Sequence, residues 1–187
     1  MPEISLLERF AAAAGQVGAQ VQTLADATAA ATYIATHAGG PVLPPQGASL
    51  ERAGLAPLLA QAEVELSPDC SRARAARAAA GVTGANFGLA ATGTVVLEST
   101  PEAVRLTTTL PERHFVLLDP AKILADDLAA VPHLRAFHRQ QPRNYLAYIT
   151  GPSRTADIER VLTIGVHGPR ELHILLVSGL SEDFLEL

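Results

Sequence analysis

The stretch from Asn144 to Pro169, NYLAYITGPSRTADIERVLTIGVHGP, constrains the fold of this chain more than any other. Tyr145–Ile149 is a short, almost continuous apolar run, the pattern of a strand covered on both faces. Gly151-Pro152 ends it. Ser153 and Thr155 are both suited to cap a helix, and Asp157 and Glu159 follow where carboxylates favour its positive end. A strand, a glycine turn and a hydroxyl-rich helix start bring several backbone N–H groups to one point, a common anion-binding device of α/β proteins. Arg154 adds a guanidinium fork that suits carboxylate or phosphate. An ordinary capped helix between two tight turns explains the same residues without a ligand. The next break, Gly165-Val166-His167-Gly168-Pro169, places His167 between glycines that let backbone approach a ligand closely. Ligands of parallel sheets gather at the carboxyl ends of strands. The expectation is therefore that Gly151–Thr155 reaches that edge and that His167 turns back over the same cleft.

The rest of the chain supplies the layers such a strand needs. Ile4, Leu7, Phe10, Ala11 and Ala14 recur at helical spacing, with Gly15 as the residue that ends the helix. Ala19–Leu24 reads as a strand and Asp26 caps a second helix through Ile34. Pro41–Leu43 is a brief strand. Ser67-Pro68-Asp69 opens a helix that runs through Arg72, Arg74 and Arg77 to Gly81. The glycine-rich segment Gly81–Thr94 is too irregular for one strand, and Thr94–Leu97 is a β-rich run behind it. A helix over Pro101–Leu110 precedes the strand His114–Leu118. Asp119-Pro120 opens a helix through Ile123, Leu124 and Leu128 that ends near Pro132, and His173–Ser178 is the last buried strand. This alternation predicts an α/β fold with a mostly parallel open sheet flanked by helices. With no internal repeat or linker, residues 1–187 are expected to form one domain.

Composition excludes several partners. A net charge of −5 leaves no basic face for nucleic acid. No run approaches the roughly 18 apolar residues of a membrane span, and Met1-Pro2-Glu3-Ile4 lacks the basic start of a secretory leader, so membrane insertion is not expected and the cytoplasm is. The single cysteine, Cys70, forms no disulfide framework and lies beside no histidine in sequence, which argues against a thiol nucleophile. The six histidines show no metal-ligand spacing, and neither a dinucleotide nor a phosphate-loop fingerprint occurs, so no metal or cofactor is predicted. Thr92-Gly93-Thr94 offers hydroxyls and flexible backbone for a small-molecule contact, although a β-bulge explains the glycine equally well.

Taken together, Gly81-Val82-Thr83-Gly84, the ATGT of residues 91–94, Leu110-Pro111 with His114, GPSRTADIE at 151–159 and GVHGP at 165–169 resemble, in order and spacing, the LUD domain of the lactate utilization protein C (LutC/YkgG) family. The resemblance is strongest from Gly81 to Leu180. It implies a fold similar to the NagB/RpiA/CoA-transferase group and a role in L-lactate oxidation beside iron–sulfur partner proteins. The ligand residues it favours are Thr92, Gly93, Thr94, Gly151, Ser153, Arg154, Thr155, Asp157 and His167, around a small anionic ligand. Catalytic residues are not assigned: Ala91 and Asn86 stand where the family commonly has carboxylates, which removes the obvious acid–base groups there. An independent isomerase or acyl/CoA-transferase-like enzyme is the alternative that the fold group allows.

Overall fold

The computed structural model describes residues 5–140, 143–155 and 163–186. Helix α1 spans Leu6–Gln16 behind a capping box in which Ser5 Oγ accepts from the Glu8 amide and the Glu8 carboxylate accepts from the Ser5 amide. Its end comes at Gly18 (φ +88°) rather than at Gly15. Strand β1 (Gln20–Leu24) and helix α2 (Ala27–His37, capped by Asp26) follow as expected. Short helices α3 (Ala48–Arg52), α4 (Leu55–Gln61) and α5 (Arg72–Ala75) lead to β2 (Ala80–Gly84), β3 (Phe87–Leu89) and β4 (Thr94–Glu98). After α6 (Glu102–Thr109) and β5 (Arg113–Leu118) come a 3-10 turn at Pro120–Lys122, the two-residue β6 (Ile123–Leu124) and α7 (Asp127–Gln140). Strand β7 (Leu146–Ile149), a small antiparallel pair β8 (Arg154–Thr155) and β9 (Thr163–Ile164), and β10 (Glu171–Val177) complete the described elements.

Four strands make a parallel sheet in the order β1-β10-β5-β2, and a second sheet runs β6-β3-β4-β7 with both antiparallel and parallel pairs. The fold is thus mixed α/β, with a central parallel sheet covered by helices. Residues along β5 and β10 alternate between two cores. Phe115, Leu117, Leu175 and Val177 pack with α2 and α4 on one face. Val116, Leu118, Ile174 and Leu176 pack with Phe10 and Ala14 of α1 on the other. Burial on both faces is what makes these segments continuously apolar.

Four local expectations give way to tertiary context. Residues 67–71 are not helical, because Asp69 Oδ1 accepts from the Ser71 amide in a tight turn and Ala79 is drawn off to the Pro41 carbonyl before β2. The helix predicted from Asp119 is displaced: the 3-10 turn and β6 intervene, and α7 then continues past Pro132 to Gln140. The carbonyl that Pro132 leaves unpaired belongs to Leu128, an 81% exposed residue, so the break is tolerated. Strand β7 is not covered on both faces; it lies at the edge of the second sheet with Tyr148 half exposed. Finally, Arg154–Thr155 is strand rather than the first turn of a helix, held by Thr163–Ile164. Asp157 and Glu159 lie outside the described residues.

The carboxyl-terminal end of α1 is a packing hub for the glycine motifs. A Cβ on Gly93 (φ +66°) would stand 2.1 Å from the Ala14 nitrogen, and one on Gly151 (φ +74°) 2.3 Å from the Val17 carbonyl oxygen. Both contacts are with backbone, which cannot swing aside. Gly93→Ala should therefore cost about 2–4 kcal/mol from left-handed strain and overpacking together, read as a lower urea midpoint. An unchanged midpoint would show that α1 does not depend on this approach.

Candidate functional site

Strand β7 pairs antiparallel with β4, so it does not deliver its following loop to the carboxyl edge of the parallel sheet as expected. Gly151–Ser153 arrives instead beside the starts of β5 and β10. There the two motif loops zip together: the Ser153 amide donates to the Pro169 carbonyl at 2.9 Å and the Gly165 amide to the Ser153 carbonyl at 2.9 Å. Gly168 packs against the Ser153 side chain, with room for little beyond its hydrogens. The loops wall a cavity of about 260 Å³ whose lining includes Thr108, His114, Tyr148, Thr150, Ser153 and His167.

The structure brings some of the sequence-predicted residues to this cavity and leaves others behind it. Ser153, His167 and Gly151 line it. Thr92 and Thr94 do not, but their hydroxyls lie 2.6 Å apart and that of Thr94 is 2.8 Å from the hydroxyl of Thr150, which does. This threonine chain ties the ATGT turn to the cavity wall. Gly93 faces α1. Arg154 directs its guanidinium to the Val17 carbonyl at the end of α1, and Thr155 is engaged in the small β8–β9 ladder. Asp157 is not among the described residues.

His114 is the site residue that local chemistry did not single out, although the Leu110-Pro111…His114 segment contained it. It is fully buried at the start of β5; its Nε2 is 2.8 Å from Thr83 Oγ1, while Nδ1 has no hydrogen-bond partner among the described residues. Burial pushes its pKa down to about 3, because an imidazolium there would lose its hydration without gaining a counter-charge. A neutral imidazole with a free ring nitrogen is therefore part of the cavity wall. The other buried histidine, His173, lies between the Tyr33 hydroxyl (3.1 Å) and Glu171 (3.2 Å), and burial outweighs the carboxylate in lowering its pKa. Cys70 has its thiol pKa raised, chiefly by burial, which disfavours the thiolate, and it is met by Gln46 Nε2 at 3.3 Å. Among the described residues no group of three or more His, Cys, Asp or Glu side chains is arranged to hold a metal ion, and no helix is long and apolar enough to cross a membrane.

An α/β protein whose glycine loops enclose a hydroxyl- and imidazole-walled cavity beside a parallel sheet is the class that fold and site define. A family model for the LUD domain matches residues 7–177, and the chain belongs to that family. It is 42% identical over 98 residues to an uncharacterized protein of Neisseria meningitidis serogroup B, covering 52% of this chain and 42% of that one. It is 33% identical over 150 residues to lactate utilization protein C of Anoxybacillus flavithermus, covering 78% and 66% of the two chains. Against lactate utilization protein C of Bacillus subtilis the identity is 32% over 157 residues, covering 78% and 65%. The chain thus spans between 42% and 66% of the length of these relatives. Among solved structures, the crystal structure of a DUF162 family protein from Deinococcus radiodurans has the same fold, with a TM-score of 0.65 and 22% identity over 92% of this chain and 96% of that one.

The two buried histidines make stability depend on pH. Their folded-state pKa values lie below the ordinary 6.5, so the unfolded chain binds the protons more readily. The contribution of these histidines is fully present above pH 6.5 and is lost as the pH drops below it, at about 1.4 kcal/mol per pH unit for His114 and in the same direction for His173. Urea titrations between pH 7.5 and 4.5 should show this slope, and His114→Gln should remove its own share. A flat profile would place a counter-charge or a water path at His114.

Proposed function

We propose that this protein is an accessory component of lactate utilization that binds a small hydroxy-carboxylate between the Gly151–Ser153 and Gly165–Pro169 loops, while electron transfer proceeds on iron–sulfur partner proteins. The support from sequence is the relation to proteins named lactate utilization protein C, at 32–33% identity over 78% of this chain. The observation that carries the ligand reading is the cavity itself. Its walls combine the Ser153 and Thr150 hydroxyls, the His167 side chain and the neutral His114 ring, donors and acceptors matched to a ligand that carries both a hydroxyl and a carboxylate. Apolar Ile149 and Leu172 complete the lining, a surface for a short carbon chain.

The chain has no cysteine besides Cys70 with which to bind a cluster, and no dinucleotide fingerprint, so oxidation of the ligand is assigned to the partners. Purified protein should bind L-lactate in calorimetric titration and should not reduce dye acceptors with it. Ser153→Ala and His167→Ala should each weaken binding by roughly 2- to 12-fold, the equivalent of one neutral hydrogen bond of about 0.5–1.5 kcal/mol. Absence of binding by the folded chain would overturn the ligand reading. Failure to co-purify with iron–sulfur proteins from a lactate-grown source would overturn the partner reading independently.

A further inference from the structure

A second cavity, of about 280 Å³, opens at the other edge of the parallel sheet, where β2 ends at Gly84. Glu186 lines it, and behind the Glu186 carboxylate lies Lys122, the one lysine of a chain whose fourteen Lys and Arg residues are otherwise all arginine. Lys122 is 1% exposed. Its ammonium donates to the Ala85 carbonyl at 2.7 Å, to the Asp183 carbonyl at 3.3 Å and to Glu186 Oε1. The other carboxylate oxygen of Glu186 accepts from the Ser49 amide at 2.9 Å.

The receiving side of this contact belongs to the core and the carboxylate does not. Lys122 is fixed by the turn after β5, and Ser49 by the segment whose Gln46 bridges to β2. Gly47 and Gly84 flank the carboxylate, and a Cβ on either would come within 3.8 and 3.6 Å of Glu186 Oε2. Ser49 Oγ, also 1% exposed, has no hydrogen-bond partner among the described residues. A buried hydroxyl left unpaired beside a carboxylate is a donor the present occupant does not use. Glu186 itself reaches the site in the left-handed region, at φ +56°, a conformation that costs an ordinary side chain about 1–3 kcal/mol. The residues before it are anchored separately. Phe184 stacks on His133 at 3.9 Å, its carbonyl accepts from Asn86 Nδ2 at 2.9 Å, and the Ser181 amide donates to Asp119. Glu186 can therefore turn outward without unpacking the segment behind it, and the cavity continues past it along Asn86, Glu98 and Pro101 with room for the remainder of a ligand.

We propose that Lys122, with the amide and hydroxyl of Ser49 and the Gly47 and Gly84 backbone, forms a carboxylate-binding site, and that the Glu186 side chain occupies it as a displaceable internal ligand. The ligand class is a small organic acid whose carboxylate takes the place of the Glu186 carboxylate and whose body lies in the adjoining cavity. A lone ammonium surrounded by carbonyls needs an anion to remain buried, so the exchange is one carboxylate for another and leaves no unpaired charge.

Because Lys122 is the only lysine, protein made with [ε-13C]lysine gives one ε-carbon signal that reports this site alone. In Glu186→Ala, which deletes the equivalent of an acetate, titration with sodium acetate should shift that signal to saturation, whereas sodium chloride at equal ionic strength should not. The unsubstituted chain should need at least tenfold more acetate for the same shift, because the tethered Glu186 competes. Glu186→Gln, which keeps the side-chain volume, should have an intermediate midpoint and serves if the alanine variant fails to fold. A signal unmoved by acetate in both variants, or an equal midpoint with and without Glu186, would overturn the proposal. Substitutions at Ser153 or His167 should leave this titration unchanged, and an effect from them would overturn the assignment of the signal to a separate site.

Discussion

The side-by-side pairing of β5 and β10 is the constraint on which the rest depends. Each strand presents large apolar side chains alternately up and down, so both faces must be covered or the pair would expose a continuous band of Phe, Leu, Ile and Val. Helices α2 and α4 cover one face. The other takes α1 together with Val95 of the second sheet, which makes that sheet an obligatory neighbour rather than an appendage. Once α1 is needed there, the chain around it must come within backbone distance, and the glycines at 93 and 151 follow from that approach.

That dependence recasts the motifs. Gly93, Gly151 and Arg154 all meet the last turn of α1 or the residue after it. Their motifs thus hold the helix in register, and in doing so they fix the loop that carries Ser153 toward Pro169 and His167. The cavity proposed for the ligand and a packing joint share the same segment: one side of the Gly151–Arg154 turn grips α1, and the other lines the cavity. A substitution in the turn will therefore disturb stability and binding together unless it is chosen on the cavity side alone.

What the sequence made legible follows from how local the determining interactions are. The Asp26 cap, the helical spacing of Leu7, Phe10 and Ala14 and the apolar runs at 114–118 and 173–178 act over a few residues, and α2, α1, β5 and β10 lie where they point. The insertion of β10 between β1 and β5 is set by contacts across the whole chain and leaves no local mark. The same holds for β7. Its apolar run suits a buried strand and an edge strand alike until its antiparallel partner β4 is known, and that partner decides which edge of the molecule receives the GPSRT loop. Ser67-Pro68-Asp69 carries the chemistry of a helix start, but Asp69 closes a turn instead, because the chain must bend toward β2. Of the candidate site, the meeting of Ser153 with the GVHGP loop was suggested by the glycine breaks, whereas the contribution of His114 required knowing that β5 begins beside them.

The Lys122 pair shows why the remaining chemistry was hidden. A sole lysine in an arginine-rich chain looks like compositional drift until its burial is seen. An arginine at this position would carry a broad planar fork into a space that Ala85, Asp183 and Glu186 close around a single nitrogen. The compact ammonium fits such a point and the guanidinium does not. Its partner lies 64 positions away, outside the matched span 7–177, in a segment with no periodicity to read. Asn86 then acquires a reason of its own. Its amide accepts from Glu98 on one side and donates to Phe184 on the other, which a carboxylate could not do, so the neutral residue is what allows the segment bearing Glu186 to dock. The amide at position 86 and the acid at 186 are in this light one arrangement: Asn86 holds the segment, and the carboxylate of this cavity is carried on its end.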